Sequence, residues 1–182
     1  MDPAVESRDL ALLQPGFRGL AATLLEACEK RGVTMRPFFT VRGPAVQAKL
    51  WCQSRTMTQV GHSAAQLRTA GAPWLADLLD IRWAKTGPAI TNALPGMSWH
   101  QWGEAMDCFA VGADGKVIWD ARDLSYRVYA EEAQKLRLEA GGLWLRFPDA
   151  VHVQLRAASS PLKDNMTWPQ VEVEMRKRFK EQ

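Results

Sequence analysis

Apolar residues recur at helical spacing in the N-terminal part of the chain. Five of them recur at intervals of three or four residues: Phe17, Leu20, Ala21, Leu24 and Cys28. Pro15 suits the first turn of a helix and Gly32 its stop, so we predict an amphipathic helix between them. The stretch Val33 to Val41 is short, rich in β-branched and aromatic residues and broken by Pro37, which predicts a strand with a bulge or near an edge. A second helix is expected from Pro44 to Gln53.

The segment from Thr58 to Lys85 has a less regular pattern. Gly71 and Pro73 interrupt it before a cluster of apolar residues. We interpret residues 59–85 as an inserted helical hairpin or lid.

Downstream, short apolar runs are separated by turn residues, which predicts strands. The expected strands are Gly103 to Val111, Val117 to Trp119, Leu143 to Phe147 and Val151 to Leu155. A helix is expected over residues 127–140, stopped by Gly141 and Gly142. Thr167 and Gln170 form a capping-box pattern that predicts a C-terminal helix over residues 167–180. These elements indicate an α+β fold with a small antiparallel sheet and packed helices.

Length and composition favour one domain. The chain has 182 residues, of which 47% are hydrophobic, enough for a core without disulfides. We therefore expect a single, monomeric domain over residues 1–182.

Charge and hydropathy exclude several classes of protein. The formal net charge is only +3, too small and too dispersed for a nucleic-acid binder. No stretch approaches the ~20 apolar residues of a membrane span, so no stable membrane insertion is expected. The N-terminus has acids where a signal peptide has a basic region. We expect a protein made in the cytoplasm that reaches any target beyond the membrane by release or delivery.

Two short segments carry the candidate chemistry. SWHQWGEAMD covers residues 98–107 and FPDAVHVQ covers 147–154, and they hold two of the three histidines beside carboxylates. A catalytic zinc site needs three such ligands and an open fourth position. We place His100 in the loop before a strand that contains Asp107, with Gly103 allowing the bend. Strand alternation then turns Met106 and Cys108 away from Asp107.

These segments resemble the signatures of the LAS-type zinc peptidases. That family includes VanY- and VanX-like D-alanyl-D-alanine peptidases and phage L-alanyl-D-glutamate endolysins. SWHQWGEAMD is similar to its Ser-x-His-x6-Asp signature, and FPDAVHVQ to its second signature, an acid three residues before the last histidine. VRGPAVQAKLWCQSRT and TGPAITNALPGMSWH resemble the segments upstream of the first ligand. The similarity spans roughly residues 17–156.

The resemblance implies roles for particular residues. It makes His100, Asp107 and His152 the ligands of a zinc ion in a surface cleft, and Asp149 the general base. Arg42 matches the arginine that steadies the oxyanion. Gln47 and Ser98 match recurring positions near the site and are candidates for substrate binding.

The resemblance also implies a substrate, the stem peptides of peptidoglycan. The run from Arg55 to Ser98 is closer to the endolysin branch, which favours an endopeptidase cutting between L-Ala and D-Glu. A D-alanyl-D-alanine carboxypeptidase is the alternative activity. The protein resembles a lysin released by a phage or an effector injected by a secretion machine.

Two further interpretations remain open from the residues alone. Cys52 or Cys108 could be a nucleophile with His100 or His152 as its base. The chain could also be a wall-binding domain with a structural ion, although such an ion normally has four protein ligands.

Overall fold

The computed structural model describes residues 1–85, 88 and 90–179. Seven α-helices lie within these residues: α1 Pro15–Lys30, α2 Pro44–Cys52, α3 Met57–Thr69, α4 Pro73–Asp77, α5 Trp99–Trp102, α6 Leu124–Lys135 and α7 Trp168–Arg178. The strands are β1 Thr34–Phe39, β2 Ala105–Val111, β3 Val117–Ile118, β4 Glu139–Ala140 and β5 His152–Gln154. Short 3₁₀ turns occur at Leu10–Leu12, Ile81–Trp83, Gly141–Leu143 and Pro161–Asp164. The α+β prediction is confirmed.

The chain divides into two compact units. One, the sheet unit, comprises Ser7–Val41 and Trp102–Ala157. The other, the helical unit, comprises Met1–Glu6, Arg42–Gln101 and Ala158–Gln182.

The sheet unit contains the five strands as one antiparallel sheet. The strand order is β1-β2-β5-β4, and β3 pairs with the far end of β2 as a hairpin. The register of β1 against β2 shifts between Pro37 and Phe39, which confirms the predicted bulge. Proline lacks an amide hydrogen, so the ladder is interrupted there.

One face of this sheet is covered by α1 and α6 and forms the core of the unit. Met106, Cys108 and Ala110 of β2 point into it and are fully buried. They meet the apolar stripe of α1 and the fully buried Tyr129 of α6. Because side chains alternate along a strand, Asp107 is directed to the opposite face, as expected from its neighbours.

The helical unit is built from α2, α3, α4 and α7. The predicted insertion contains most of α3 and all of α4. The side chains of Val60, Leu67 and Leu75 on these helices are buried within the unit, whereas Ile81 is exposed. Gly71 has φ +88° between these helices, a conformation that a residue with a side chain rarely adopts. The carboxylate of Glu172 on α7 accepts hydrogen bonds from the amides of Trp74 and Leu75, at the start of α4. The segment is therefore a packed helical layer.

Two secondary-structure predictions for the sheet unit are wrong. The helix expected over 127–140 ends at Lys135, because Arg137 adopts a left-handed conformation with φ 60° and the chain then enters β4. The strand expected at Leu143 to Phe147 is absent. In its place, a 3₁₀ turn leads into an irregular segment in which Leu145 and Phe147 are exposed and Phe147 has φ 56°.

The C-terminal helix begins as predicted. Thr167 donates its amide hydrogen to Oε1 of Gln170 over 2.8 Å, which is half of the expected capping box. The helix ends at Arg178, and Lys180, the expected last residue, lies outside the described residues. No helix among the described residues has the length and apolar character needed to cross a membrane.

Candidate metal centre

Asp107 and His152 lie side by side on neighbouring strands. They are paired across the antiparallel ladder between β2 and β5. Nδ1 of His152 lies 2.8 Å from Oδ1 of Asp107, and the two residues are only 9% and 8% exposed. Cross-strand partners on one face point the same way, so the ladder itself brings the two ligand-type groups together.

The ring of His152 is held from several sides. Its Nε2 lies 3.0 Å from Oε1 of Gln154, and its ring centroid is 5.3 Å from that of Trp144. Burial would lower the pKa of His152, but the hydrogen bond and negative charge of Asp107, with the further charge of Asp149, raise it above its ordinary value. The pocket around the ring is therefore electronegative, as a cation site requires.

Asp149 is exposed and lies just before β5. Its carbonyl oxygen accepts the amide hydrogen of His152 over 3.2 Å, and its own amide donates to the carbonyl of Gly141 over 2.9 Å. A Cβ on Gly141 would lie 2.5 Å from the Asp149 carbonyl oxygen and 3.1 Å from Cβ of His152. Only glycine fits there, so Gly141 fixes the path of the backbone that carries both residues.

His100 belongs to the helical unit and is 1% exposed. It lies in the single turn α5 rather than in a loop, so its predicted conformation is wrong. The turn is closed by a hydrogen bond from the amide of Gln101 to the carbonyl of Ser98, and Nε1 of Trp99 donates to the carbonyl of Ala158 over 2.7 Å. Gly103 follows with φ 69°, which confirms the expected bend before β2.

Among the described residues, His100, Asp107 and His152 form a group of side chains that could hold a metal ion. Two imidazoles and one carboxylate are a donor set that suits zinc and leaves a coordination position open. The donor set therefore fits the expected metal. The third histidine, His62, is exposed on α3.

Arg42 and Gln47 are joined within the helical unit. Nε of Arg42 donates to Oε1 of Gln47 over 3.0 Å. Nε2 of Gln47 donates to the carbonyl of Ala93 over 2.7 Å and to the hydroxyl of Thr91 over 3.1 Å. Gln47 is fully buried and both ends of its amide are hydrogen-bonded, so it holds the guanidinium of Arg42 in place.

The backbone beside Arg42 also has a structural requirement for glycine. The amide of Gly43 donates to the carbonyl of Val5 over 2.7 Å, and a Cβ on Gly43 would lie 2.1 Å from the carbonyl oxygen of Pro3. The N-terminal segment thus passes directly over Gly43. Ser98, the other expected substrate-binding residue, is half-buried.

Comparison with known proteins identifies the family. The family model for VanY, described as D-alanyl-D-alanine carboxypeptidase, matches residues 11–152. The chain belongs to the VanY family. The match contains Arg42, His100, Asp107 and Asp149 and ends on His152.

A curated relative is consistent with membership in the VanY family. The chain is 33% identical over 78 residues to the peptidoglycan L-alanyl-D-glutamate endopeptidase CwlK of Bacillus subtilis (strain 168). That alignment covers 39% of the chain and 47% of CwlK. The chain therefore matches about half the length of this relative.

The thiols of this VanY-family chain are poorly suited to nucleophilic chemistry. Cys52 and Cys108 are both fully buried. Burial raises the pKa of Cys52 to about 11 and raises that of Cys108 further above its ordinary value. The reactive form is the thiolate, which is scarce at neutral pH when the pKa is so high. These observations disfavour the cysteine mechanism.

The sequence analysis missed two residues of the site, Gly141 and Gln154. Gly141 was interpreted only as a helix stop. Gln154 could have been found, since it lies two residues after His152 and a strand returns to the same face every second residue. The close approach of Gly141 to Asp149 has no comparable signal in the sequence.

Proposed function

We propose that this VanY-family protein is a zinc-dependent hydrolase of peptidoglycan stem peptides. The observation that carries the proposal is the buried Asp107–His152 pair, whose Oδ1 and Nδ1 atoms lie 2.8 Å apart inside the matched family region. In this proposal it acts as a monomeric domain over residues 1–182, on the cell wall or in the periplasm.

His100, Asp107 and His152 would hold the zinc ion. When bound, zinc supplies Lewis-acid chemistry, which polarises the scissile carbonyl and makes a water nucleophilic near neutral pH. Support comes from the donor set, which leaves a position open for catalysis, whereas a structural zinc normally has four protein ligands. That difference favours an enzyme over a wall-binding domain.

Asp149 is the general base in this proposal. Asp149 is exposed and lies three residues before His152 in the chain. Its negative charge raises the pKa of His152. Its carboxylate would take the proton of the attacking water and pass it to the leaving amine of the cleaved peptide bond. The atoms balance, since water adds across the bond and no other reactant is consumed.

Arg42 is the residue proposed to offset the negative charge that develops on the carbonyl oxygen. A guanidinium remains protonated at every working pH and needs only to be aimed correctly. Gln47 supplies that aim in the structure by fixing Nε of Arg42. Ser98 is proposed to contribute to substrate binding from the residue preceding α5.

For the bond that is cut, we favour the one between L-Ala and D-Glu. The similarity to CwlK, whose name states that activity, supports an endopeptidase. The description of the matching family model supports a second candidate, a D-alanyl-D-alanine carboxypeptidase. Both activities use the same proposed ligands and base, so they differ only in how the substrate is placed.

We also propose that the insertion at residues 59–85 influences this placement as a lid or a fixed wall. A cavity of about 340 Å³ within the helical unit is lined by Trp51, Arg55, Thr58, Gln59, His62 and Ser63. Half of these residues belong to the insertion. Arg55 lies 4.7 Å from the ring centre of Trp51, which gives the cavity an aromatic wall and a positive charge.

Digestion of purified sacculi tests the proposal. The protein should release new amino groups, and mass spectrometry of the muropeptides should show cleavage between L-Ala and D-Glu. Loss of only the terminal D-Ala would establish the carboxypeptidase instead. A chelator should abolish activity and zinc should restore it, whereas thiol alkylation of the folded protein should leave activity intact. Full activity in chelator would refute the zinc mechanism.

A further inference from the structure

Gln154 contacts the side of the His152 ring that faces away from Asp107. It lies two residues after His152 on β5, so both side chains are on the same face of the strand. Gln154 is 3% exposed, and its Oε1 is 3.0 Å from Nε2 of His152. None of the roles proposed above involves the buried side-chain amide of Gln154.

The other end of the amide determines its orientation. Nε2 of Gln154 donates to the carbonyl oxygen of Arg156 over 2.5 Å. A carbonyl oxygen can only accept, so the amide nitrogen must face Arg156 and the amide oxygen must face His152. The guanidinium of Arg156 is itself anchored, with Nε 2.7 Å from Oε2 of Glu104.

This orientation specifies where the imidazole carries its proton. An amide oxygen accepts but cannot donate, so Nε2 of His152 must be the donor. In a neutral imidazole the lone pair is then on Nδ1. Nδ1 is the atom that lies 2.8 Å from Oδ1 of Asp107, so the lone pair of the imidazole and a carboxylate oxygen face each other. A cation bound by both atoms stabilises that arrangement.

We propose that Gln154 is a positioning residue for the metal ligand His152: it accepts the Nε2 proton and thereby presents Nδ1 to the metal beside Asp107. The inference rests on the proposed metal site, although not on which peptide bond is cut. Partners that orient a ligating histidine in this way typically change metal affinity by about 10–100-fold. The same change is expected here.

Zinc affinity of three variants tests the proposal. Gln154→Met keeps the length of the side chain but removes the acceptor, and its zinc Kd, measured by competition with a chromophoric chelator, should rise by about 10–100-fold. Gln154→Glu restores an acceptor toward His152 but cannot donate to Arg156, so its Kd should return close to that of the wild type. Gln134→Met, at an exposed position of α6, is the matched control and should bind zinc normally.

Two results would overturn the inference. One is a wild-type Kd for Gln154→Met. The other is an equal loss in Gln154→Met and Gln154→Glu, which would assign the effect to the contact with Arg156. Circular dichroism establishes that each variant is folded before its affinity is compared.

A second measurement reads the tautomer directly. In the zinc-bound protein, nitrogen-15 spectra of the imidazoles should show a proton on Nε2 of His152. A proton on Nδ1 would overturn the inference. If the wild-type protein binds no zinc, the proposed function fails; if it binds zinc while Nδ1 of His152 carries the proton, only the role of Gln154 fails.

Discussion

The side chain of Arg42 is aimed by Gln47, whose Oε1 accepts a hydrogen bond from Nε of the guanidinium over 3.0 Å. Gln47 can do this because its own amide nitrogen is tied to Ala93 and Thr91. A long cationic side chain has many rotamers, and fixing it in advance reduces the entropy lost in the transition state. Gln47 therefore links the buried interior of the helical unit to the proposed oxyanion stabiliser.

Gln47→Leu should slow hydrolysis through Arg42. We expect a loss of up to roughly 10²-fold in turnover, because misplacing a catalytic group by about 1 Å has effects of that size. Arg42→Ala should lose roughly 10²–10³-fold. If Gln47 acts only through Arg42, adding Gln47→Leu to the Arg42→Ala variant should reduce turnover hardly any further. Turnover of all four proteins on a defined muropeptide measures this.

A matched control separates this effect from general destabilisation. Gln66→Leu changes an exposed glutamine on α3 of the same unit and should leave turnover unchanged. Losses from Gln47→Leu and Arg42→Ala that multiply in the double variant would show that the two residues act independently, and would contradict the coupling.

Much of the sheet unit was predictable because its local and long-range preferences agree. The spacing of apolar residues after Pro15 and the stop at Gly32 define α1 to within two residues. In β2, alternation alone separates Asp107 from the core residues beside it. These patterns are repeated over many residues, and a tertiary environment seldom overrides them.

The two errors in the sheet unit occur where a residue other than glycine adopts a left-handed conformation. Arg137, two residues after the end of α6, has φ 60°. Phe147 has φ 56° in the segment that was expected to be a strand. A glycine in the sequence indicates that a left-handed conformation is possible, but an arginine or phenylalanine does not. The apolar residues at 143–147 were therefore misinterpreted as a strand. Tertiary contacts, which the sequence pattern does not contain, determine these two positions.

Gly141→Ala should disturb the proposed base and one ligand together. The new methyl group would lie 2.5 Å from the carbonyl oxygen of Asp149 and 3.1 Å from Cβ of His152, so the backbone must shift. We expect a loss of about 1–3 kcal/mol in the free energy of unfolding, as for other overpacked sites, together with reduced turnover. Urea denaturation and turnover on one preparation measure both.

Gly142→Ala is the neighbouring control for this substitution. Its methyl group would lie 3.3 Å from Cα of Ala150, which requires only a small adjustment. It should be milder than Gly141→Ala in both measurements. Equal effects of the two variants, or a Gly141→Ala protein as stable and active as the wild type, would contradict the proposed constraint.

Glu172→Ala should destabilise the helical unit by removing the acceptor at the start of α4. The carboxylate is 5% exposed and accepts from the amides of Trp74 and Leu75 at 2.9 and 3.0 Å. Each buried amide left without an acceptor costs roughly 1–3 kcal/mol. Denaturation by urea should show a loss in this range or above it.

Two comparisons sharpen that measurement. Glu172→Gln retains an acceptor oxygen but loses the negative charge near the positive end of the helix, so its stability should be intermediate. Glu174→Ala, two residues further along α7, should change stability by no more than about 0.5 kcal/mol. A Glu172→Ala protein as stable as Glu174→Ala would show that α4 does not depend on this carboxylate.

Asp149→Asn and His152→Ala separate the proposed base from a proposed ligand. Asp149→Asn removes the proton acceptor but keeps its size, so the variant should fold, keep zinc and lose on the order of 10²–10⁴ in turnover. His152→Ala should lose zinc together with activity, and some stability, because metal binding contributes to the folded state. Zinc content and turnover are measured on the same preparations. Asp120→Asn, a surface carboxylate of the same unit that pairs with Arg122, should behave as the wild type.

The contrary result has a defined meaning. If Asp149→Asn loses its zinc while His152→Ala retains it, the two roles are assigned wrongly and another carboxylate must be the base. Glu104 lies within the first motif, but this residue is only 6% exposed and its carboxylate is ion-paired with Arg156 at 2.7 Å. A carboxylate that is buried against a guanidinium has little access to the attacking water. Asp149, exposed beside the ligand strand, therefore remains the residue whose substitution should stop turnover without releasing the metal.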